Sequence, residues 1–171
     1  VCRDVPTRLP NTTAGPPACG CRGPLPTLAR LRPGPARQVG NERSMEPRYV
    51  LCLATAASMA PVQAALQEAG WVLHLAADLG QARQIASTLD CHAGLLIPEA
   101  ARPGGCAAVS DFLAWTQARM EWVGVFEPPQ LQDPACRDLV VSHLFDHHTA
   151  PVDPQRLAHT LGHAHGHALL R

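Results

Sequence analysis

Three histidines near the C-terminus have the spacing of a metal site. His159, His163 and His167 stand four residues apart, and a helix would bring them close to one side. Imidazoles in that arrangement can bind Zn²⁺, Ni²⁺ or Cu²⁺. No carboxylate or cysteine nearby completes a four-ligand set, and Gly162 and Gly166 weaken the helix. A metal-responsive binding domain is therefore the alternative hypothesis, and a solvated alanine-rich helix is the simpler interpretation.

The cysteines and the absence of lysine exclude several kinds of functional site. Seven cysteines are scattered without a CxxC pair, so neither a disulfide framework nor a zinc ribbon is predicted. Cys52 and Cys91 fall in apolar segments, where a reduced cysteine behaves as a small apolar residue, and a reducing cytoplasm is the simplest setting. Lysine is absent from the chain, which excludes a P-loop and a Schiff-base nucleophile. We expect no cofactor and no enzymatic activity.

Residues 1–44 differ in composition from the rest of the chain. They hold eight prolines, five glycines and seven arginines without apolar periodicity, which is typical of a disordered tail. Met45 begins a more ordinary sequence, so an upstream stretch translated from a misplaced start is a second explanation. Residues 45–171 set seven arginines against twelve acids, which argues against direct nucleic-acid binding. No apolar run reaches the roughly 18 residues of a membrane span.

The elements that must position these side chains alternate between strand and helix. From Tyr49 onward, a short apolar run and an amphipathic stretch follow each other five times, which is typical of an α/β domain with a parallel sheet. The predicted strands are residues 49–54, 71–76, 91–97, 122–126 and a weaker edge strand, 144–148. We predict a flavodoxin-like, doubly wound sheet of order 2-1-3-4-5 with five helices. Its functional crevice would lie at the carboxyl ends of the strands.

Helix starts are marked by residues that can cap them. Asp78, Asp133 and Asp153 are predicted N-caps, as is Ser58, with Pro61 in the first turn of its helix.

The apolar residues of the helices indicate which faces are buried. The last helix has an apolar face that includes Leu157, Leu161 and Leu169. Trp115 is expected in the core, although it could instead form a dimer surface with the fourth helix.

Several spacings resemble those of response-regulator receiver domains over nearly all of residues 49–168. The most specific is the run TAPVDPQRL, residues 149–157, which matches the receiver pattern TKPFDPxxL except at the lysine. Weaker matches flank the second predicted strand, at Val62, Leu66, Gly70, Ala77, Gly80 and Ala82.

The receiver resemblance also implies where phosphorylation chemistry would be found. It places the magnesium-binding acidic pair at Ala54 and Thr55, or at Leu53 and Ala54, and the phosphate acceptor at Ile97. The hydroxyl would fall at Phe126 and the lysine at Ala150, before Pro151. None of these residues can serve aspartyl-phosphate chemistry. Two carboxylates stand nearby, Glu99 and Glu127, but neither has a magnesium-binding pair to work with.

This pattern of losses is similar to the degenerate N-terminal domain of VpsR-type regulators, which are sigma-54-dependent transcriptional regulators of the Fis family. In that family the domain precedes an AAA+ ATPase and a helix-turn-helix, which are expected downstream and do not occur in this chain. The resemblance implies a pseudo-receiver in residues 45–171 that signals without phosphate. It also implies a cytoplasmic homodimer and an input from a partner or a small ligand such as cyclic di-GMP.

Overall fold

The computed structural model describes residues 47–99 and 105–171, and the predicted tail, residues 1–44, lies outside them. Within this described part, strand and helix alternate as the sequence predicts. Among its helices, none is long and apolar enough to cross a membrane. The strands are β1 (Arg48–Leu53), β2 (Trp71–Ala76), β3 (Ala93–Leu96), β4 (Glu121–Phe126) and β5 (Leu144–Thr149). The helices are α1 (Ala56–Glu68), α2 (Leu79–Thr88), α3 (Gly105–Thr116), α4 (Pro134–His143) and α5 (Pro154–Leu169).

The five strands form one parallel sheet in the order β2-β1-β3-β4-β5, which confirms the predicted topology. β1, β3 and β4 lie inside the sheet, and nearly all of their residues are buried. One apolar cluster joins the sheet to α2, α3 and α4, and a second joins the opposite face to α1 and α5. Because helices cover both faces, the inner strands are apolar except where they begin, at Arg48 in β1 and Glu121 in β4.

Aspartate begins three of the helices, as predicted. The Asp78 carboxylate accepts a hydrogen bond from the backbone N–H three residues later at 2.9 Å. Asp133 and Asp153 accept from the N–H two residues later, at 3.0 and 2.9 Å. A proline follows each of the last two at the first helical position, where its missing N–H costs nothing. These caps determine where α2, α4 and α5 start.

The first helix begins earlier than predicted. Its N-cap is Thr55, so the prediction of Ser58 is wrong. Thr55 Oγ1 accepts a hydrogen bond from the Ser58 N–H at 3.3 Å, and the Thr55 N–H donates to Ser58 Oγ at 3.1 Å. Two hydroxyl residues three positions apart therefore cap each other. Pro61 consequently lies within α1 and not in its first turn.

Two apolar side chains predicted to be buried lie at the surface. Trp115 in α3 is 52% exposed and Leu169 at the end of α5 is 57% exposed. Phe112 fills the core beneath α3. On α5 the buried positions beyond Leu161 belong to Ala164 and Ala168, whose small side chains allow the helix to pack closely on the sheet.

The expectation that the cysteines form no disulfide is wrong. Cys106 in α3 and Cys136 in α4 are bonded to each other. They stand 30 positions apart in sequence, and only the packing of α3 against α4 brings their Cα atoms to 5.1 Å, within the range that a disulfide requires. Cys52 and Cys91 are buried free thiols, as the sequence predicts.

Gly94 in β3 lies beside Trp122 in β4, and a Cβ at Gly94 would overlap the indole ring. The indole cannot easily move, because its Nε1–H donates to Thr116 Oγ1 at 2.8 Å in the buried core. We therefore expect Gly94→Ala to lower the free energy of unfolding by about 1–3 kcal/mol, the usual cost of overpacking. Urea unfolding followed by circular dichroism would measure this change.

The matched control is Gly162→Ala in α5, where an added Cβ meets nothing within 4 Å. It should leave stability unchanged or raise it by up to about 1 kcal/mol, because alanine favours helix. Equal destabilisation by both substitutions would contradict the packing of Trp122 against Gly94.

Candidate functional site

The carboxyl ends of the strands meet at one edge of the sheet. Backbone hydrogen bonds extend the sheet by one residue there. The Ala54 N–H donates to the last residue of β2 at 3.1 Å, and the Ile97 N–H donates to the last residue of β1 at 3.1 Å. The Ala150 N–H donates to the carbonyl of Phe126 at 2.8 Å. The positions singled out by the receiver resemblance therefore follow strands that end side by side.

Most side chains at these positions offer methyl groups. Ala54 is 6% exposed and belongs to the apolar cluster between the sheet and α1 and α5. Ile97 and Ala150 pack against the same cluster. Pro151 follows Ala150 through a cis peptide bond and has no N–H to donate. This edge of the sheet therefore presents no carboxylate and no cation at Ala54, Ile97 or Ala150.

Thr55 supplies a hydroxyl at these positions, and that hydroxyl is already engaged. Thr55 Oγ1 accepts from the Ser58 N–H and lies 3.0 Å from Ser58 Oγ. It therefore stabilises the start of α1. A neutral hydroxyl used in this way does not replace the carboxylates that a magnesium ion requires.

Phe126 is placed differently from the other predicted positions. Its side chain is fully buried in the cluster beneath α3 and α4, with its ring centroid 6.4 Å from that of His147. Val125 lines the crevice instead. Successive residues of a strand point to opposite faces of the sheet. Phe126 therefore faces the cluster beneath α3 and α4, and Val125 faces the cluster beneath α1 and α5.

Two cavities open at this edge, and we call them together the strand-end crevice. The smaller, about 160 Å³, lies between β1, β3 and the start of α3. The larger, about 650 Å³, lies between α1 and the segments that follow β3, β4 and β5. Thr55 and Ile97 line both cavities, and Ala150 and Pro151 line the larger one. The larger volume is in the range of small-molecule binding sites.

Gln130 braces the crevice, and sequence reasoning missed it. Its Nε2–H donates to the Pro98 carbonyl at 2.9 Å, and its Oε1 accepts from the Glu127 N–H at 2.7 Å. One side chain therefore ties the segment after β3 to the segment after β4. No motif marks a glutamine for this role, because the bonds depend on how two loops meet.

Two carboxylates stand at the crevice. Glu99 and Glu127 line the larger cavity, and both residues are exposed to solvent. No ion pair involves either of them within residues 47–99 and 105–171. They give the crevice a negative rim above apolar walls.

The terminal histidines do not converge on a single metal position. His159 and His163 lie beside each other with ring centroids 4.3 Å apart. His167 instead bonds Glu121 through Nδ1 at 2.7 Å. In the described ranges, no group of three histidine, cysteine or acidic side chains could hold a metal ion. The structure therefore does not favour the metal-responsive alternative.

Several charged and aromatic side chains contact each other at the opposite end of the sheet, where the strands begin. Glu121, the first residue of β4, is 5% exposed and also pairs with Arg171 at 2.6 Å. The Arg48 guanidinium lies 4.8 Å from the ring centroid of Trp71, at the start of β1 and β2. His165 packs its ring against Trp71 at 5.7 Å. Ionic and aromatic contacts therefore close the sheet at the edge away from the crevice.

A family model described as the VpsR domain matches residues 39–162 of the chain. No curated protein matches the chain by sequence.

Solved structures similar to the chain include several receiver domains and a protein named adenylate cyclase from Rhodopirellula baltica. The signal receiver domain of an HD domain-containing protein from Pseudomonas fluorescens Pf-5 superposes with a TM-score of 0.60 at 16% identity, over 73% of this chain and 98% of its own. The signal receiver domain of a LuxO repressor protein from Vibrio parahaemolyticus gives 0.58 at 13%, over 72% and 93%. NtrX from Brucella abortus gives 0.59 at 14%, over 72% of this chain and 27% of its own. These likenesses show the receiver fold.

His148, near the end of β5, makes a buried contact with α5. It is 8% exposed, and its Nε2 lies 3.0 Å from Thr160 Oγ1. Burial lowers the pKa of His148; Asp146 opposes this effect, while Arg156 and His147 add to it. The unfolded chain therefore takes up the proton at higher pH than the folded one. Stability should fall as the pH drops below about 6.5 toward the folded pKa.

We expect His148→Gln to reduce the decrease in the free energy of unfolding at low pH, because glutamine can still form a hydrogen bond with Thr160 but does not titrate. Urea unfolding at about pH 7.5 and about pH 5.5, on either side of the ordinary histidine pKa, would measure the effect. The same change at the exposed His163, which does not contribute to the pKa shift of His148, should keep the pH dependence of the parent protein. An equal reduction in both variants would show that the buried contact is not its source.

Proposed function

The chain belongs to the VpsR domain family, and on that basis we propose that it is a pseudo-receiver: a regulatory module of a bacterial sigma-54-dependent transcriptional regulator that works without accepting a phosphoryl group. The observation that carries this proposal is the apolar strand-end crevice. Ala54, Ile97 and Ala150 present methyl groups at the crevice. The receiver resemblance places there a magnesium-binding carboxylate, the phosphate-accepting carboxylate and a lysine, respectively. We propose no catalytic activity for the domain.

Phosphoryl transfer is mainly a matter of positioning and of neutralising charge. A magnesium ion must be held by hard oxygen ligands next to the carboxylate that accepts the group. In this crevice Ala54 is buried among apolar neighbours and Thr55 is used by the α1 cap. No lysine exists anywhere in the sequence to stabilise the product. These features support a domain whose state is set by something other than phosphorylation.

Glu99 and Glu127 are the carboxylates closest to this chemistry. Both line the larger cavity, but each would need a cation to offset its charge and that of an incoming phosphate. The crevice offers no described basic side chain to assist. Their oxygen atoms could in principle accept a phosphoryl group, but their unbalanced negative charge would repel the incoming phosphate.

The same charges bear on the input signal. A cyclic dinucleotide such as cyclic di-GMP is anionic, and Glu99 and Glu127 would repel it from the larger cavity. An uncharged or cationic small ligand suits this cavity better, and a cyclic dinucleotide would have to bind elsewhere. A partner protein is the other input that we propose.

The output would pass to an AAA+ ATPase and a helix-turn-helix downstream of the domain, acting in the cytoplasm. The solved chains of NtrX and of FixJ from B. japonicum extend well beyond the part that matches, since this chain covers 27% and 59% of them. This is consistent with a domain that serves a longer regulator. Residues 1–44 are proposed to be a tail outside this module.

Exposed apolar residues favour a homodimer through α4, β5 and α5. Val141 is 85% exposed on α4, Phe145 38% on β5 and Leu169 57% on α5. β5 is an edge strand, and its Phe145 ring packs against His167 of α5. Charged residues of both signs, Arg137 and Asp138, flank this surface on α4. A two-fold interface can pair such opposite charges across its axis.

Phosphorylation can be tested with beryllofluoride and Mg²⁺, which mimic a phosphoryl group on a receiver carboxylate. We expect the amide NMR spectrum to stay unchanged, and no phosphoryl group to be transferred from acetyl phosphate, because the acceptor and metal positions are apolar. A phosphorylatable receiver treated in parallel provides the positive control. Shifts confined to the residues after β1, β3 and β4, abolished by Glu99→Gln or Glu127→Gln, would refute the proposal and identify the acceptor.

Dimerisation can be tested by Val141→Glu, which places a charge in the proposed interface. Sedimentation equilibrium should show a dimerisation constant weakened by about tenfold or more, the size expected for a central contact. Leu75→Glu changes an exposed leucine on β2, at the other edge of the sheet, and should leave the constant unaltered. A monomer at all concentrations, or equal effects of both changes, would contradict this interface.

A further inference from the structure

α3 and α4 carry a pair of cysteines that the crevice does not use. Cys106 lies in the first turn of α3 and Cys136 in the first turn of α4, and the two are bonded with their Cα atoms 5.1 Å apart. Their neighbours cover them, leaving 6% and 5% exposed. Because 30 positions separate them, they meet only through the packing of the two helices.

Noncovalent contacts also hold α3 against α4. Phe112 and Leu113 of α3 and Leu139 of α4 are at most 2% exposed and lie in the same apolar cluster. A second link joins the helices, since Ser110 Oγ lies 2.8 Å from His143 Nε2. Domains that depend on disulfides to fold are those too small to build such a core. The bond can therefore open and close without loss of the fold.

The bond also lies beside the strand-end crevice. Ala108 and Val109, within one turn of Cys106, line the smaller cavity. Pro128 and Gln130, shortly before α4, line the larger one. A closed bond prevents the start of α3 from shifting against α4, whereas an open bond leaves only noncovalent contacts. The oxidation state of the pair would therefore determine whether a covalent bond restrains this wall of the crevice.

We propose that Cys106 and Cys136 form a redox modification site, oxidised by a low-molecular-weight disulfide of the glutathione class and reduced by the corresponding thiol. In the oxidation, one cysteine thiolate attacks a sulfur of the small disulfide, whose S–S bond breaks and releases one thiolate. The other cysteine thiolate attacks the mixed disulfide, forms the Cys106–Cys136 bond and releases the second thiolate. Two electrons pass from the cysteine pair to the small disulfide, and the two cysteine protons end on the released thiols.

The other described cysteines do not compete for this reaction. Burial raises the pKa of Cys52 to about 12, with a smaller contribution from Cys91. Burial likewise raises the pKa of Cys91 to about 11; Asp90 raises it further and Arg119 opposes this. Both therefore remain protonated thiols at neutral pH, and the thiolate is the form that reacts. This site goes beyond the proposed function and does not depend on it.

The test is peptide mapping of the full chain after equilibration with defined ratios of reduced and oxidised glutathione. Cleavage after Arg119 separates the two cysteines, so the bond appears as a cross-link between two peptides. We expect the cross-link to be lost in excess reduced glutathione and to return in excess oxidised glutathione. Cys106→Ser should abolish it under all conditions, and the control Cys91→Ser should retain it.

Hydrogen exchange provides a second measurement with its own outcome. Reduction should raise exchange several-fold at the Ala108 and Val109 amides, and Cys136→Ser should show the raised rate at every glutathione ratio. A cross-link that survives excess reduced glutathione would overturn the proposal in favour of a permanent structural bond. So would thiols that fail to pair in excess oxidised glutathione, or exchange that does not respond to reduction. The beryllofluoride experiment is unaffected by any of these results.

Discussion

Burial of the sheet on both faces is the constraint on which the rest of this domain depends. Helices cover each side of β1, β3 and β4, so these strands are apolar beyond the residues that begin β1 and β4. The apolar character continues past the strands to Ala54 and Ile97. The crevice is therefore an extension of the core, and its polar groups come from the loops that surround it. A metal-binding site would require charged groups at the positions where this core ends.

Much of the fold could be predicted because its signals are local. Continuous apolar runs identified the strands, and aspartate next to proline identified the starts of α4 and α5. The errors arose where two local signals competed. Thr55 and Ser58 can each cap a helix, and the structure uses both, one on each side of a shared turn. Trp115 is apolar by type yet lies at the surface, because the smaller Phe112 occupies the available space beneath α3.

The candidate site was predicted less completely, because side-chain direction and long-range contacts decide it. Ala54, Thr55, Ile97 and Ala150 stand at the crevice, as the resemblance to receivers implies. Phe126 does not line the crevice, because its side chain points to the opposite face of the sheet. Matching the spacing of a motif did not reveal which face this side chain would take. The Gln130 brace and the disulfide join distant segments. Such pairings leave no signature in one sequence, and seven cysteines allow many of them.

The buried carboxylate of Glu121 makes the two ends of the sheet respond differently to dissolved salt. It bonds His167 and Arg171 where β4 begins, while the crevice lies where the strands end. The Glu121 side chain is 6% exposed, but those of His167 and Arg171 are 50% and 43% exposed. Dissolved salt should therefore screen this network in part, and screen the exposed Glu99 and Glu127 at the rim of the crevice more strongly. The domain thus gathers charged contacts around one buried carboxylate where the strands begin and carries exposed carboxylates where they end, so added salt should affect the two ends of the sheet to different degrees.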